Sequence, residues 1–197
     1  DWSSDVCSSD LSLLRGKTDQ ALADLNRVIQ LDSTQQHAYY MRGLIKAARG
    51  DHESAITDYK QQELILPDYW KSYAACGRSE MALAMYDKAA ESFVMCNTKK
   101  YTDSVASQVV WAYVMAGDYF KAIEMADKYE DDHRSDYAPL FKYRGIAEFR
   151  AGRFKAAEED LLIALEGDSK DVESYLNLSR TYLAMGDQGK ARRYANL

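Results

Sequence analysis

The sequence has little that breaks helices: two prolines and ten glycines in 197 residues, against abundant Ala, Leu, Lys, Glu, Asp and Tyr. That scarcity favours helix. No apolar run approaches the roughly 20 residues that a membrane-spanning helix needs, so the visible chain reads as soluble and without a membrane span. Positive charge is also short. With 25 Lys and Arg against 31 Asp and Glu, the formal charge is −6, the reverse of the basic face of a general nucleic-acid binder. Three cysteines (Cys7, Cys76 and Cys96) do not make a disulfide framework. No glycine-rich phosphate loop of the form G-x-x-x-x-G-K is present, and His37, His52 and His133 are far apart, without the H-E-x-x-H spacing of a zinc enzyme. No catalytic residue, metal site or cofactor is therefore expected. What the chain does have is apolar bulk: hydrophobic residues make up 47% of it, enough to bury a sizeable core.

Residues 1–11, DWSSDVCSSDL, stand apart. They resemble the in-frame translation of a sequencing-library adapter, whose last bases supply two letters of a leucine codon and so account for Leu11. A genuine Ser/Asp-rich leader is the alternative. Sequence of this kind is set aside from fold reasoning. Without Asp1, Asp5 and Asp10 the charge moves from −6 to −3. On this reading the natural N-terminus is missing, the chain is a metagenomic fragment, and its localisation stays unknown.

The remaining residues, 12–197, repeat. A small residue recurs at Ala21, Ala55, Ala89, Ala122, Ala157 and Ala191, with spacings of 34, 34, 33, 35 and 34. Glycine keeps the same period a few residues earlier, at Gly16, Gly50, Gly117, Gly152 and Gly186, with Ala84 in the third slot. A fixed period of this length signals stacked supersecondary units. The glycines suit the left-handed position that ends a helix. Asp51, Asp118 and Asp187 follow directly and suit the N-cap of a second helix. Pro67 stops one hairpin before the next, and Pro139 suits the first turn of a helix.

These residues resemble the tetratricopeptide repeat, whose 34-residue unit sets an aromatic, a Gly, a Tyr, an Ala, an aromatic and a Pro at fixed offsets. Residues 36–69 match best, through Tyr39, Gly43, Gly50, Ala55, Tyr59 and Pro67. The unit at 70–102 carries Tyr73, Gly77, Ala89 and Phe93. The unit at 103–137 carries Tyr113, Gly117, Tyr119 and Ala122, with Val110 in place of the first Gly. The unit at 138–171 carries Phe141, Gly145, Gly152, Phe154, Ala157 and Ala164. Partial units occupy 12–35, with Ala21, Leu25, Val28 and Leu31, and 172–197, with Tyr175, Tyr182, Gly186 and Ala191. The resemblance implies an all-α fold: an α-solenoid of stacked antiparallel helical hairpins winding into a right-handed superhelix. It also implies that Gly43, Gly77, Gly145 and the repeating alanines mark close helix contacts, with Tyr39, Tyr73, Phe141, Tyr59, Phe93 and Leu161 filling the space around them.

The resemblance further implies a concave groove lined by the first helix of each unit. Carried onto this chain, the groove positions include His37, Tyr40, Met41 and Leu44, then Lys71 and Arg78. Next come Ser104, Gln108, Trp111, Val114 and Met115, followed by Lys142, Tyr143, Ile146, Phe149 and Arg150. Glu173, Asn177, Arg180 and Leu183 complete the set. Apolar and aromatic residues mix here with five cations and one acid, a lining that suits a protein or peptide with acidic and apolar groups. The bland alternative is inter-repeat packing with solvated cations. The clamp that some family members use for acidic C-termini is not matched, since Tyr40 with Leu44, and Lys142 with Ile146, break its Lys–Asn pairing.

The expected function is a non-catalytic protein-interaction scaffold. The alternative is the interaction arm of a larger enzyme or sensor, and RNA recognition by related hairpin repeats is a third reading that the acidic balance opposes. Asp131, Asp132, His133 and Asp136 read as a solvated loop and not a cation site. Cys76 and Cys96 read as small apolar fillers. Met81, Met85 and Met95 read as packing. Glu158, Glu159 and Asp160 read as the outer, solvated face of a second helix.

Overall fold

The computed structural model describes residues 3–133 and 136–196, with side chains from residue 16 onward. The adapter-like segment therefore lies outside the residues whose side chains are described, Cys7 included.

Every regular element among the described residues is a helix. The order is α1 (Ser3–Leu31), α2 (Ala38–Ala48), α3 (His52–Ile65), α4 (Trp70–Ala82), α5 (Tyr86–Lys99), α6 (Asp103–Ala116), α7 (Tyr119–His133), α8 (Ala138–Arg150), α9 (Phe154–Gly167), α10 (Val172–Ala184) and α11 (Gln188–Ala195). None of the described helices is long and apolar enough to cross a membrane. The chain divides into two compact units, Asp1–Leu83 and Ala84–Leu197. The repeat at 70–102 gives α4 to the first and α5 to the second.

In the first unit α2 and α3 form a hairpin, α1 packs on α2, and α4 packs on α3. Its core gathers Ala55, Tyr59, Ala75 and Cys76, with Tyr40, Leu44, Ala47 and Ile56 packed around them. One expectation fails here. Gly16 makes no turn, because α1 runs through it unbroken. The Ser/Asp-rich sequence before it offers no apolar stripe to fold back as a partner helix, and one glycine inside a helix costs only about 1 kcal/mol. Val28 and Leu31 are correspondingly exposed.

In the second unit three hairpins follow one another, α6–α7, α8–α9 and α10–α11, and α5 packs on α6. Second helices contact the next hairpin through α7 with α8 and α9 with α10. One of its cores joins Leu161, Leu165, Leu178, Tyr182 and Ala191.

The turns follow the sequence pattern. Gly50, Gly117, Gly152 and Gly186 take φ of 83°, 82°, 78° and 85°. The next residue's N–H then donates back across the helix end: Asp51 to the Lys46 carbonyl, Asp118 to Tyr113, Arg153 to Glu148 and Asp187 to Tyr182. This bond satisfies carbonyls that the helix end leaves open, and only a left-handed residue permits it. Ala84 takes the same conformation, φ 56°, in the third slot. Asp51, Asp118 and Asp187 each accept a backbone N–H three residues on, from Ser54, Lys121 and Lys190. Pro139 sits in the first turn of α8.

The small residues mark the close contacts. A Cβ added to Gly43 would lie 2.6 Å from Tyr59 Cε1, and one on Gly145 would lie 2.9 Å from Leu161 Cγ. Tyr59 and Leu161 thus occupy the volume the glycines leave, as the pattern requires. Ala55, Ala89, Ala122 and Ala157 are fully buried, as are Cys76 and Cys96. Interiors this dense tolerate no added methylenes without strain. Ala55→Leu is expected to cost about 1–3 kcal/mol, whereas Glu91→Ala, at an exposed site, is expected to stay within about 0.5 kcal/mol. Comparable melting temperatures for the two variants in thermal unfolding would refute this register.

Candidate functional site

The first helices of the second unit's hairpins lie side by side: α6 contacts α8, and α8 contacts α10. Between them opens a cavity of about 330 Å³. Its walls are Trp111, Val114 and Met115 of α6, Tyr119 of α7, Ile146 and Arg150 of α8, and Glu173, Leu176, Asn177 and Arg180 of α10. Eight of the sequence-derived groove positions meet here: Trp111, Val114, Met115, Ile146, Arg150, Glu173, Asn177 and Arg180.

Neighbouring residues set several of them. The Trp111 ring stacks on Tyr143, centroids 4.8 Å apart at 29°, so Tyr143 supports the wall from behind. Asn177 is buried and donates through Nδ2 to the Glu173 carbonyl. Arg150 and Arg180 are exposed at the rim. Lys142 is engaged inside the array, 3.2 Å from Glu173 and 3.5 Å from Asp171, with its Nζ 5.1 Å from the Tyr143 ring centroid. Burial pushes the Tyr143 hydroxyl above its ordinary pKa, with Lys142 acting against it. Gln108 is half-buried in α6, and its Oε1 has no hydrogen-bond donor among the described residues.

Other candidates are placed elsewhere. Phe149 packs on Phe154 of α9, 5.9 Å between centroids, and does not line the cavity. In the first unit Tyr40 and Leu44 pack against the core, Tyr40 meeting the Tyr69 ring edge-on at 5.1 Å. Lys71 and Arg78 are exposed. Two cavity residues escaped sequence reasoning. Leu176 stands at the fifth position of its helix, so the groove periodicity already pointed to it. Tyr119 belongs to a second helix, and no first-helix rule reaches it.

His133 stacks on Tyr101 at 3.5 Å, while Asp131, Asp132 and Asp136 are exposed. Met81 and Met85 are half-buried, but Met95 is exposed.

The acidic stretch of α9 requires correction. Only Glu159 is exposed. Asp160 is buried and accepts two bonds from Arg144, at Nε (2.6 Å) and Nη2 (2.8 Å). Glu158 accepts the Tyr182 hydroxyl at 2.6 Å. Arg144 also reaches Asp127 and Glu130 on the preceding α7, tying two successive hairpins together. Three repeat lengths earlier, Arg42 does the same between Asp58 of α3 and Asn26 of α1. Sequence reading failed here because α9 is contacted on two sides, by Arg144 of α8 and by Tyr182 of α10.

Stacked helical hairpins with an open cavity among their first helices define a helical-repeat protein, a class built to bind other proteins along its surface. The tetratricopeptide repeat model matches residues 36–65 and 172–197. Solved structures agree in fold. YrrB, a TPR protein with an unusual peptide-binding site, superposes with a TM-score of 0.67 over 86% of this chain and 88% of its own, at 13% identity. MamA gives 0.71 over 80% and 86%, at 19% identity. MamA from Desulfovibrio magneticus RS-1, from residue 41 to its end, gives 0.70 over 80% and 89%, at 14% identity. No curated protein matches the chain in sequence. The two matched stretches are thus tetratricopeptide repeats in sequence, and the fold of the chain is that of the tetratricopeptide-repeat solenoids.

Proposed function

We propose that the chain is a protein-interaction scaffold whose α6–α8–α10 face receives an extended partner segment, with an apolar side chain in the 330 Å³ cavity and a carboxylate beside it. The observation that carries this reading is the pairing of an apolar floor with two exposed guanidinium groups. Trp111, Ile146 and Leu176 supply the floor, and Leu176 remains 46% exposed. Arg150 and Arg180 stand at the rim, while the acid within the wall, Glu173, is already held by Lys142. A cavity this size suits one or two side chains, and aromatic and Arg residues dominate binding energy at such surfaces. The unusual peptide-binding site of the structurally similar YrrB supports a peptide as the kind of ligand.

Selection of short random peptides on the chain is expected to enrich an apolar residue next to Asp or Glu. Trp111→Ala is expected to weaken such a peptide by about 1–3 kcal/mol in isothermal titration, and Phe149→Ala to leave it unchanged. Equal loss from both variants would overturn the placement.

A further inference from the structure

A second, larger depression lies on the turn edge of the same unit, with a volume of about 880 Å³. It is bounded by the α8–α9 turn at Gly152 and Arg153 and by the start of α11 at Asp187 and Lys190. No residue that lines it also lines the α6–α8–α10 cavity. The geometry points to a second docking surface here, one that takes an acidic segment of a partner protein anchored by an apolar side chain.

The floor is apolar and partly open. Phe154 and Met185 are half-buried, and the Tyr182 ring lies beneath them. The charges above the floor are unequal in what they leave to a partner. Both acids are engaged within the chain: Glu158 takes the Tyr182 hydroxyl and lies 3.5 Å from Lys190, and Asp187 caps α11 through the Lys190 N–H. Arg153 and Lys155 are exposed and have no carboxylate within salt-bridge distance among the described residues. Arg153 also occupies the slot that holds Asp51, Asp118 and Asp187 in other turns, so this turn alone of the four reverses the sign of its charge. On a chain of net charge −6, that reversal selects an acidic partner, since complementary charge steers encounter and like charge repels.

The surface continues past the depression. The Arg153 guanidinium lies 5.6 Å from the centroid of the Phe120 ring, and Phe120 is 66% exposed at the start of α7. An aromatic ring held in water beside a cation is a ready contact for an extended chain. Phosphate tracking by a nucleic acid needs a row of cations, and here two unengaged cations sit beside two carboxylates. A polypeptide is therefore the favoured occupant.

The test uses the full chain carrying Trp111→Ala, which removes the main wall of the other cavity, so that this surface is judged independently of it. Short random peptides are selected on that chain, and the enriched sequences are measured by fluorescence anisotropy. The expected result is enrichment of Phe, Trp or Leu flanked by Asp or Glu, with affinity falling about tenfold or more in Arg153→Asp/Lys155→Glu. That variant stays folded: Arg153 makes no side-chain cap, and Asp restores the cap found at the other turns, so its melting temperature should not fall. No enrichment overturns the proposal, as does enrichment that the charge reversal leaves unchanged. Displacement of the peptides by a single-stranded oligoribonucleotide, or loss of the surface in a dimer of the chain by sedimentation, would also overturn it.

Discussion

Arg144→Met is expected to destabilise the Ala84–Leu197 unit by about 3–5 kcal/mol, the cost of removing one partner from a buried ionic group. Arg144 is 12% exposed, and Asp160, which it holds through two bonds, is 6% exposed at its side chain. Asp160 is left buried without its cation, next to Glu148, while Asp127 and Glu130 lose the arginine that draws α7 towards α8. The equivalent change in the first unit provides an internal contrast. Arg42→Met leaves Asp58 still bonded to Lys46 at 2.8 Å, so its cost should be nearer 1–2 kcal/mol. Urea unfolding of the two variants measures both. Equal losses would show that the second cation on Asp58 contributes nothing.

Raising the pH from about 5 to 8 is expected to weaken the second unit by on the order of 2 kcal/mol. The cause is Glu148, which occupies in the α8–α9 hairpin the repeat position that Lys46 holds in α2–α3. Burial, then Asp160, raise its carboxyl from 4.5 to about 8, with Arg144 acting against the shift and Asp127 adding to it. Glu130, also on α7, holds Arg144 from the other side. Burial likewise raises Asp160. Protonated, Glu148 donates to Asp160; ionised, it places a second buried negative charge on one arginine. A carboxyl whose folded pKa is raised contributes its stability in full below 4.5 and loses it as pH climbs through 8. Glu63 of α3, raised to about 7 by burial and by Glu80, gives the first unit a slope of the same sign. Glu148→Gln keeps the shape and the donor while removing the titration. It should leave stability at pH 4.5 unchanged, raise it at pH 8, and flatten the profile between. A variant as pH-dependent as the parent would refute the assignment.

The features read correctly from sequence share one property: each is decided within a turn, or between helices at a fixed repeat distance. The left-handed glycines and the Asp caps are backbone problems solved by one side chain. Gly43 with Tyr59, and Gly145 with Leu161, are volume problems solved inside one hairpin. The site was legible only in part. Periodicity selects which first-helix positions can face a groove, but it does not say which of them a neighbouring helix covers. Hence Tyr40 and Leu44 pack into a core, Lys142 is taken by Asp171 and Glu173, and Phe149 turns to Phe154, while Leu176 and Tyr119 join the wall.

The sequence by itself determined the all-helical repeat, its turns and caps, and the small residues where helices touch. These follow from backbone geometry and side-chain volume at a period of about 34 residues. Only the tertiary structure decided the fate of the charges and the place of the cavities. Whether Asp160 is solvated or buried against Arg144, and whether Arg153 meets an acid or stands free beside Phe120, depends on residues from three different helices. Electrostatic energy is set by distance and by exclusion of water, and neither is written in the order of residues along one helix face.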